Sequence, residues 1–396
     1  MFSKRIDRLA GSLIREILQI TQRPDVISFA GGLPAAEIMP EMDFSAAPKN
    51  IRQYGPTEGE PQLRDLIAQQ LCAIGRECSA AQVLITSGSQ QGIDLVSKLF
   101  IDEGTTVMLE SPTYLAAIQS FRLFGATFME WPLSPDGIDP QELRAAIASQ
   151  RPAFIYLIPN FQNPSGCCYS ERKRREIAAV LDESGALLVE DEPYRELMYE
   201  PVERTPISSL LKKSPWVYLG SFSKTTCPGI RIGYLACSQA LFPFFARLKQ
   251  ATDLHTNRLG QWWVANFISS AEYDPHLRQL REYYRIRRDA MHAALQRHFH
   301  DIAEWELPAG GLFFWVRLKQ KCDTRLLLTK ALERNIAFMP GEPFFANPVE
   351  QSGALRLNFS HSTPEKIDQG IAELSDVIRA YFTAGESVEI IHSSRI

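Results

Sequence analysis

From about Val83 onward, short β-branched and apolar runs alternate with stretches of helical period. The runs at 83–86, 106–110, 126–131, 153–158, 186–190, 216–221 and 232–236 read as strands. Between them lie segments such as 90–100 and 170–184, which carry the helical repeat of apolar positions. Strands alternating with helices predict an α/β domain built on a mostly parallel sheet. The last two runs stand too close together for a helical crossover, so the final strand is expected to run antiparallel. In such sheets functional groups gather on the loops beyond the carboxyl ends of the strands.

After about residue 270 the pattern changes. A long charged helix is predicted from 275 to about 298, then an apolar strand at 311–317. A helix near 324–335, a strand at 354–359 and a closing helix near 364–382 follow, which reads as a smaller α+β domain. At the other end, Phe2, Ile6, Leu9, Leu13, Ile17 and Ile20 share one helical face. The expected division is therefore an N-terminal helix and arm (1–40) joining the small domain, a large domain (41–275) and a small C-terminal domain (276–396). Its last dozen residues are polar and expected to be peripheral. No repeat or low-complexity segment interrupts this layout.

A chain of 396 residues is too long for one simple core, in agreement with two domains. With 45% hydrophobic and 22% charged residues and a formal net charge of −4, it reads as a soluble globular protein. A dedicated nucleic-acid binder would show a basic domain or stripe. No apolar window is long enough for a transmembrane helix. The N-terminus lacks an apolar block with a cleavage site, and Asp7 and Glu16 argue against a transit peptide. The seven cysteines include no Cys-x-x-Cys pair, and Cys167 and Cys168 are adjacent, so free thiols in a reducing cytoplasm are expected. The seven histidines form no metal-ligand spacing, and no metal is expected.

The chemistry is concentrated after the strands. Gly220-Ser-Phe-Ser-Lys224 ends one strand and is followed by Pro228-Gly-Ile-Arg231. Ser221 and Ser223 alternate so that both hydroxyls can face one anion, and Arg231 adds a planar fork suited to phosphate. Thr86-Ser-Gly88-Ser-Gln-Gln91 lies between a strand and a helix, where Gly88 permits an unusual turn and free N–H groups attract phosphate. Ser87 and Gln90 also fit a capping box, the purely structural alternative. A dinucleotide glycine fingerprint and a P-loop are both absent. Leu187-Leu-Val-Glu-Asp191-Glu-Pro-Tyr194 places a carboxylate at the end of a buried strand, and Asn163-Pro-Ser-Gly166 follows another, where a simple turn is the alternative. Lysine amines form Schiff bases with carbonyl compounds, pyridoxal 5'-phosphate (PLP) among them, and a buried carboxylate keeps a pyridine nitrogen protonated.

Taken in order, Ser87-Gly-Ser-Gln90, Asn163-Pro-Ser-Gly166, Asp191-x-x-Tyr194, Ser221-x-Ser-Lys224 and Arg231-x-Gly233 resemble the fold-type-I PLP aminotransferases. The similarity runs from about Arg15 to Phe382. Ser28-Phe-Ala-Gly-Gly-Leu-Pro34, Tyr54-Gly-Pro-Thr-Glu-Gly59 and Leu254-His-Thr256 resemble the subgroup of 2-aminoadipate, kynurenine and broad-specificity aminotransferases. Asn-Pro-Ser-Gly stands where Asn-Pro-Thr-Gly is commoner.

The resemblance implies a large domain with a mostly parallel seven-stranded sheet flanked by helices, plus a smaller α+β domain. It makes Lys224 the Schiff-base lysine and proton shuttle, and pairs Asp191 with the pyridine nitrogen. Asn163 and Tyr194 would bond the ring oxygen and Tyr114 would stack on the ring. Ser87, Gly88, Ser89, Gln90, Ser221, Ser223 and Arg231 would surround the phosphate, which Tyr54 would reach from the other subunit of a homodimer. Arg356 and Gly32 would receive the substrate's α-carboxylate, and Ser12 and Arg15 its side chain. The implied reaction moves the amino group of an L-amino acid (2-aminoadipate, aromatic or branched-chain) to a 2-oxo acid such as 2-oxoglutarate, by ping-pong chemistry. The same scaffold also supports β-lyases and decarboxylases, which formation of pyridoxamine phosphate would separate, and PLP-sensing regulators that carry an added DNA-binding domain.

Overall fold

The computed structural model describes residues 2–9, 23 and 25–383. The first half of the chain runs β1 (Ile27–Ser28), α1 (Pro61–Ala73), β2 (Val83–Thr86), α2 (Ser89–Phe100), β3 (Thr106–Ser111), α3 (Leu115–Phe124), β4 (Thr127–Pro132), α4 (Pro140–Gln150), β5 (Phe154–Leu157), α5 (Glu171–Ser184) and β6 (Leu188–Asp191). Next come α6 (Ile207–Leu210), β7 (Trp216–Ser221), β8 (Gly233–Cys237), α7 (Phe242–Asp253), α8 (Arg258–Ile268) and α9 (Tyr273–His298). The remainder is β9 (Ala303–Glu304), β10 (Phe313–Leu318), α10 (Thr324–Glu333), β11 (Ile336–Ala337), β12 (Met339–Pro340), β13 (Ala354–Asn358) and α11 (Pro364–Thr383).

Seven strands form one sheet in the order β2-β8-β7-β6-β5-β3-β4. Strands β2, β5 and β6 are buried at every position, as strands covered on both faces must be. One core packs Leu63, Ile67 and Trp263 against one face, and another packs Leu95, Phe121 and Phe245 against the other. Polar caps start the helices at their expected ends: Asp139 accepts from Gln141 N in α4, and Ser170 accepts from Lys173 N in α5.

The expected antiparallel strand is present, beginning at Gly233 and running against both neighbours. Its register places Gly233 opposite Thr86 of β2 and opposite Ser221 of β7. That single strand start therefore brings the ends of two distant strands to one place. The carboxyl ends of β3, β5, β6 and β7, which run parallel, lie along the same edge.

A third core belongs to the four-stranded sheet β12-β13-β10-β9 with α9 and α11 against it. β1 pairs in parallel with β11, Ile27 opposite Ile336, so the N-terminal arm is stitched to the late part of the chain. The amphipathic face expected at the N-terminus is described only in part. Lys4–Arg8 forms a 3-10 turn, and Ile6 within it and Phe2 and Leu9 on either side are exposed. Charged groups hold it instead: Arg8 pairs with Glu103 at 2.8 Å, and Arg5 lies over the Phe124 ring. Leu13, Ile17 and Ile20 lie outside the described residues.

Candidate active site

At the end of β2 the chain turns through Ser87 and Gly88 into α2. Gly88 has φ +74 and is the N-cap, with no side-chain cap bond, so the capping box that was the structural alternative for Ser87 and Gln90 does not form. The Ser87 N–H goes instead to Gln91 Oε1 at 2.8 Å. A Cβ at residue 88 would stand 2.5 Å from Arg231 Nη2, and one at Gly233 would stand 2.6 Å from the Gly88 carbonyl carbon. Only glycine allows this approach. Arg231 itself takes the left-handed conformation, φ +57, uncommon for a side-chain-bearing residue. Its guanidinium donates to the Ser87 carbonyl and to Ser223 Oγ, each at 3.3 Å. Ser221 Oγ accepts the Ser223 N–H at 3.2 Å. Ser89 and Gln90 open α2 and present N–H groups that the helix cannot pair internally, beside a fixed cation. The local result is an anion cradle.

Asp191 closes β6 and is buried. Tyr156 OH donates to its Oδ2 at 2.7 Å, while Oδ1 is buried without a partner. Burial pushes the carboxyl up to about 7, against the opposing pull of the Tyr156 hydrogen bond. An unpaired buried acceptor costs about 1–3 kcal/mol. A cationic donor opposite Oδ1 would remove that cost.

Asn163 follows β5 and bridges two groups. Its Nδ2 donates to Tyr194 OH at 3.4 Å and its Oδ1 accepts from Arg356 Nη1 at 2.9 Å. Burial raises the Tyr194 phenol. Arg356, on β13, also donates Nη2 to the Ala30 carbonyl at 2.6 Å and lies over the rings of Phe313 and Phe344. Its Nε is buried and unpartnered, and burial lowers its pKa to about 10, which leaves it charged at neutral pH. Lys224 Nζ donates to the Gly32 carbonyl at 2.9 Å and lies 5.9 Å from the Tyr194 ring centre. Burial, reinforced by Arg356 and Arg231, lowers this amine to about 8. Tyr114 OH donates to Gln90 Oε1 at 3.2 Å, tying α3 to the cradle.

These groups join an anion cradle, an unpaired carboxylate, a weakly basic lysine and a buried arginine. The model of the family described as aminotransferase class I and II matches residues 28–374. The chain belongs to this family. The 2-aminoadipate transaminase of Thermus thermophilus is 37% identical to this aminotransferase over 389 residues, 96% of each chain. Aromatic-amino-acid aminotransferase 1 of Thermococcus litoralis is 35% identical, covering 96% of this chain and 94% of that one. The crystal structure of α-aminoadipate aminotransferase from Thermus thermophilus, complexed with N-(5'-phosphopyridoxyl)-L-leucine, superposes with a TM-score of 0.89. It is 36% identical and covers 97% of this chain and 98% of its own. The enzyme is a PLP aminotransferase, and the residues above fit that cofactor: a cradle for its phosphate and an orphaned buried carboxylate oxygen for its ring nitrogen.

Most of the residues singled out in the sequence are brought together in the aminotransferase. Three are not. Tyr54 is 76% exposed, its ring edge-on to His255 at 5.8 Å. Ser12 and Arg15 lie outside the described residues. Sequence reasoning missed Tyr156, Phe313 and the carbonyls of Ala30 and Gly32 as partners. Tyr156 carried a weak signal, a hydroxyl inside the otherwise apolar run Phe154-Ile-Tyr-Leu157. Phe313 carried none, because its place beneath Arg356 is set by the pairing of β10 with β13.

Proposed function

We propose that this aminotransferase works as a homodimer in the cytoplasm, passing the amino group of an acidic or aromatic L-amino acid to 2-oxoglutarate by ping-pong chemistry. The names of its relatives support that donor range. The exposed Tyr54, Leu254 and Leu259 suit a subunit interface, and seven free cysteines suit a reducing compartment. No helix of the described residues is long and apolar enough to cross a membrane, and no nucleic acid is assigned. Residues 1–40, 41–275 and 276–396 act as arm, large domain and small domain, a division supported by the β1–β11 pairing.

Bound PLP supplies an electron sink for the pair left when a substrate C–H bond breaks. Ser87, Gly88, Ser89, Gln90, Ser221, Ser223 and Arg231 hold its phosphate. Asp191 Oδ1 holds the proton of its ring nitrogen, Asn163 and Tyr194 bond its ring oxygen, and Tyr114 covers one face. Arg356 receives the substrate α-carboxylate, with the Gly32 backbone alongside, and Ser12 and Arg15 receive the side chain. Lys224 would anchor the cofactor through Nζ, and its free amine would take the substrate α-proton at Nζ and give it back. A pKa near 8 leaves an appreciable share of its amine unprotonated at neutral pH, as a general base requires.

The observation that carries this reading is the buried, unpartnered Asp191 Oδ1, which acts on Tyr194, the residue whose ring centre lies 5.9 Å from Lys224 Nζ. Borohydride reduction of the holoenzyme followed by peptide mapping is expected to place the cofactor on Lys224, and its appearance on another lysine would overturn the assignment. A panel of amino donors against 2-oxoglutarate, scored by kcat/KM, tests the donor range.

A further inference from the structure

Lys249 lies on α7, outside every motif named so far, and its side chain is fully buried. A buried ammonium is costly unless each of its N–H groups finds an acceptor. Lys249 has Gln91 Oε1 at 2.7 Å, Asp253 Oδ2 at 2.8 Å and Thr256 Oγ1 at 2.8 Å. Gln91 sits in the first turn of α2, and the same Oε1 accepts the Ser87 N–H. Its Nε2 donates to Asp253 Oδ2 at 2.8 Å. The amide satisfies these partners in one orientation alone, oxygen towards the ammonium and nitrogen towards the carboxylate. Thr256 Oγ1 in turn donates to the Ile85 carbonyl of β2 at 3.1 Å.

The ammonium therefore reaches both sides of the Ser87–Gly88 turn: the strand before it through Thr256, the helix after it through Gln91. Ser87 is gripped twice, at its N–H by Gln91 and at its carbonyl by Arg231. An apolar side chain of similar length would fill the same space without the desolvation cost of a charge. What the charge adds is a fixed orientation for Gln91 and hence for Ser87.

We propose that Lys249 is a positioning residue for the cofactor, setting through Gln91 and Thr256 the turn that receives the PLP phosphate without touching PLP itself. The proposal rests on the reading of that turn as the phosphate cradle. The test titrates apoenzyme with PLP and separately with pyridoxal, which lacks the phosphate, and reads the bound fraction by ultrafiltration. Lys249→Met is expected to raise the Kd for PLP about tenfold, the scale of one charge-assisted hydrogen bond, with the Kd for pyridoxal moving less than about twofold. Equal weakening of both ligands, or of neither, overturns the proposal. Should Lys249→Met fail to fold, Gln91→Leu cuts the same link at a partly exposed residue. There a PLP-selective loss supports the proposal and its absence overturns it. Arg231→Ala separates the two readings. If that variant loses no PLP selectivity, the cradle reading fails and the proposal with it. If it does lose selectivity while Lys249→Met does not, the role of Lys249 alone falls.

Discussion

Lys224 and Asp191 are shifted in opposite directions by one cause, removal from water. The amine falls to about 8 and the carboxyl rises to about 7. Between about 8 and its ordinary value of 10.5, Lys224 is a free amine in the folded protein and protonated in the unfolded one. The unfolded state then binds more protons, so this group's contribution makes stability rise with pH across that window. Carbamylation of Lys224 by cyanate in the cofactor-free protein should accordingly follow a midpoint near 8. Arg356→Met should raise that midpoint, since the arginine is its second cause; a wild-type midpoint near 10.5 would contradict the burial argument. For Asp191, replacement by Asn keeps the shape and removes the charge that holds a proton on the ring nitrogen. Asp191→Asn should still bind PLP but slow α-proton exchange from substrate about a hundredfold or more. Near-normal deuterium exchange at the α-carbon would assign Asp191 to structure.

Strand β8 decides whether the site exists, because its first residue lies between the ends of β2 and β7. A Cβ on Gly233 would meet backbone atoms, the Gly88 carbonyl carbon at 2.6 Å and Ser89 N at 2.7 Å, and neither can rotate away. Gly233→Ala should therefore weaken PLP binding about tenfold, since forced backbone strain costs about 1–3 kcal/mol. Gly229→Ala is the control: its Cβ meets only Cys227 Sγ, at 3.9 Å, and it should bind PLP normally. The strand runs themselves were legible in the sequence, as was the reversal of the last one, because chain length between strands limits the crossovers available. At Ser87 and Gln90 spacing alone left two readings open, and the structural alternative, a capping box, is excluded because the Ser87 N–H goes to Gln91. Partners such as Tyr156 for Asp191 or Phe313 for Arg356 were not legible. They arise from strand pairing between positions distant in the chain, and a single sequence states no pairing order.

On the scale of the whole molecule, Tyr54 is a residue whose exposed position one chain does not explain. A large aromatic side chain left 76% exposed, its ring against His255 in the segment that also exposes Leu254 and Leu259, suits burial against a second copy. Its loop is nevertheless well anchored: Arg258 donates to the carbonyls of Asn50 and Gln53 at 2.8 and 2.9 Å and pairs with Glu60 at 2.6 Å. In the proposed homodimer, a fixed loop with an outward tyrosine can serve the other subunit's phosphate. Mixed dimers test this. When Tyr54→Phe subunits exchange freely with Lys224→Ala subunits, a mixed dimer has one site carrying both defects and one carrying neither, provided Tyr54 acts across the interface. Equal mixing should then restore about a quarter of wild-type activity, because half the dimers are mixed and half their sites intact. If Tyr54 serves its own subunit, every site keeps one defect and mixing yields no more than half the activity of Tyr54→Phe alone. With Tyr54→Phe strongly impaired and subunit exchange shown by mass, that second outcome would place Tyr54 in its own subunit's site.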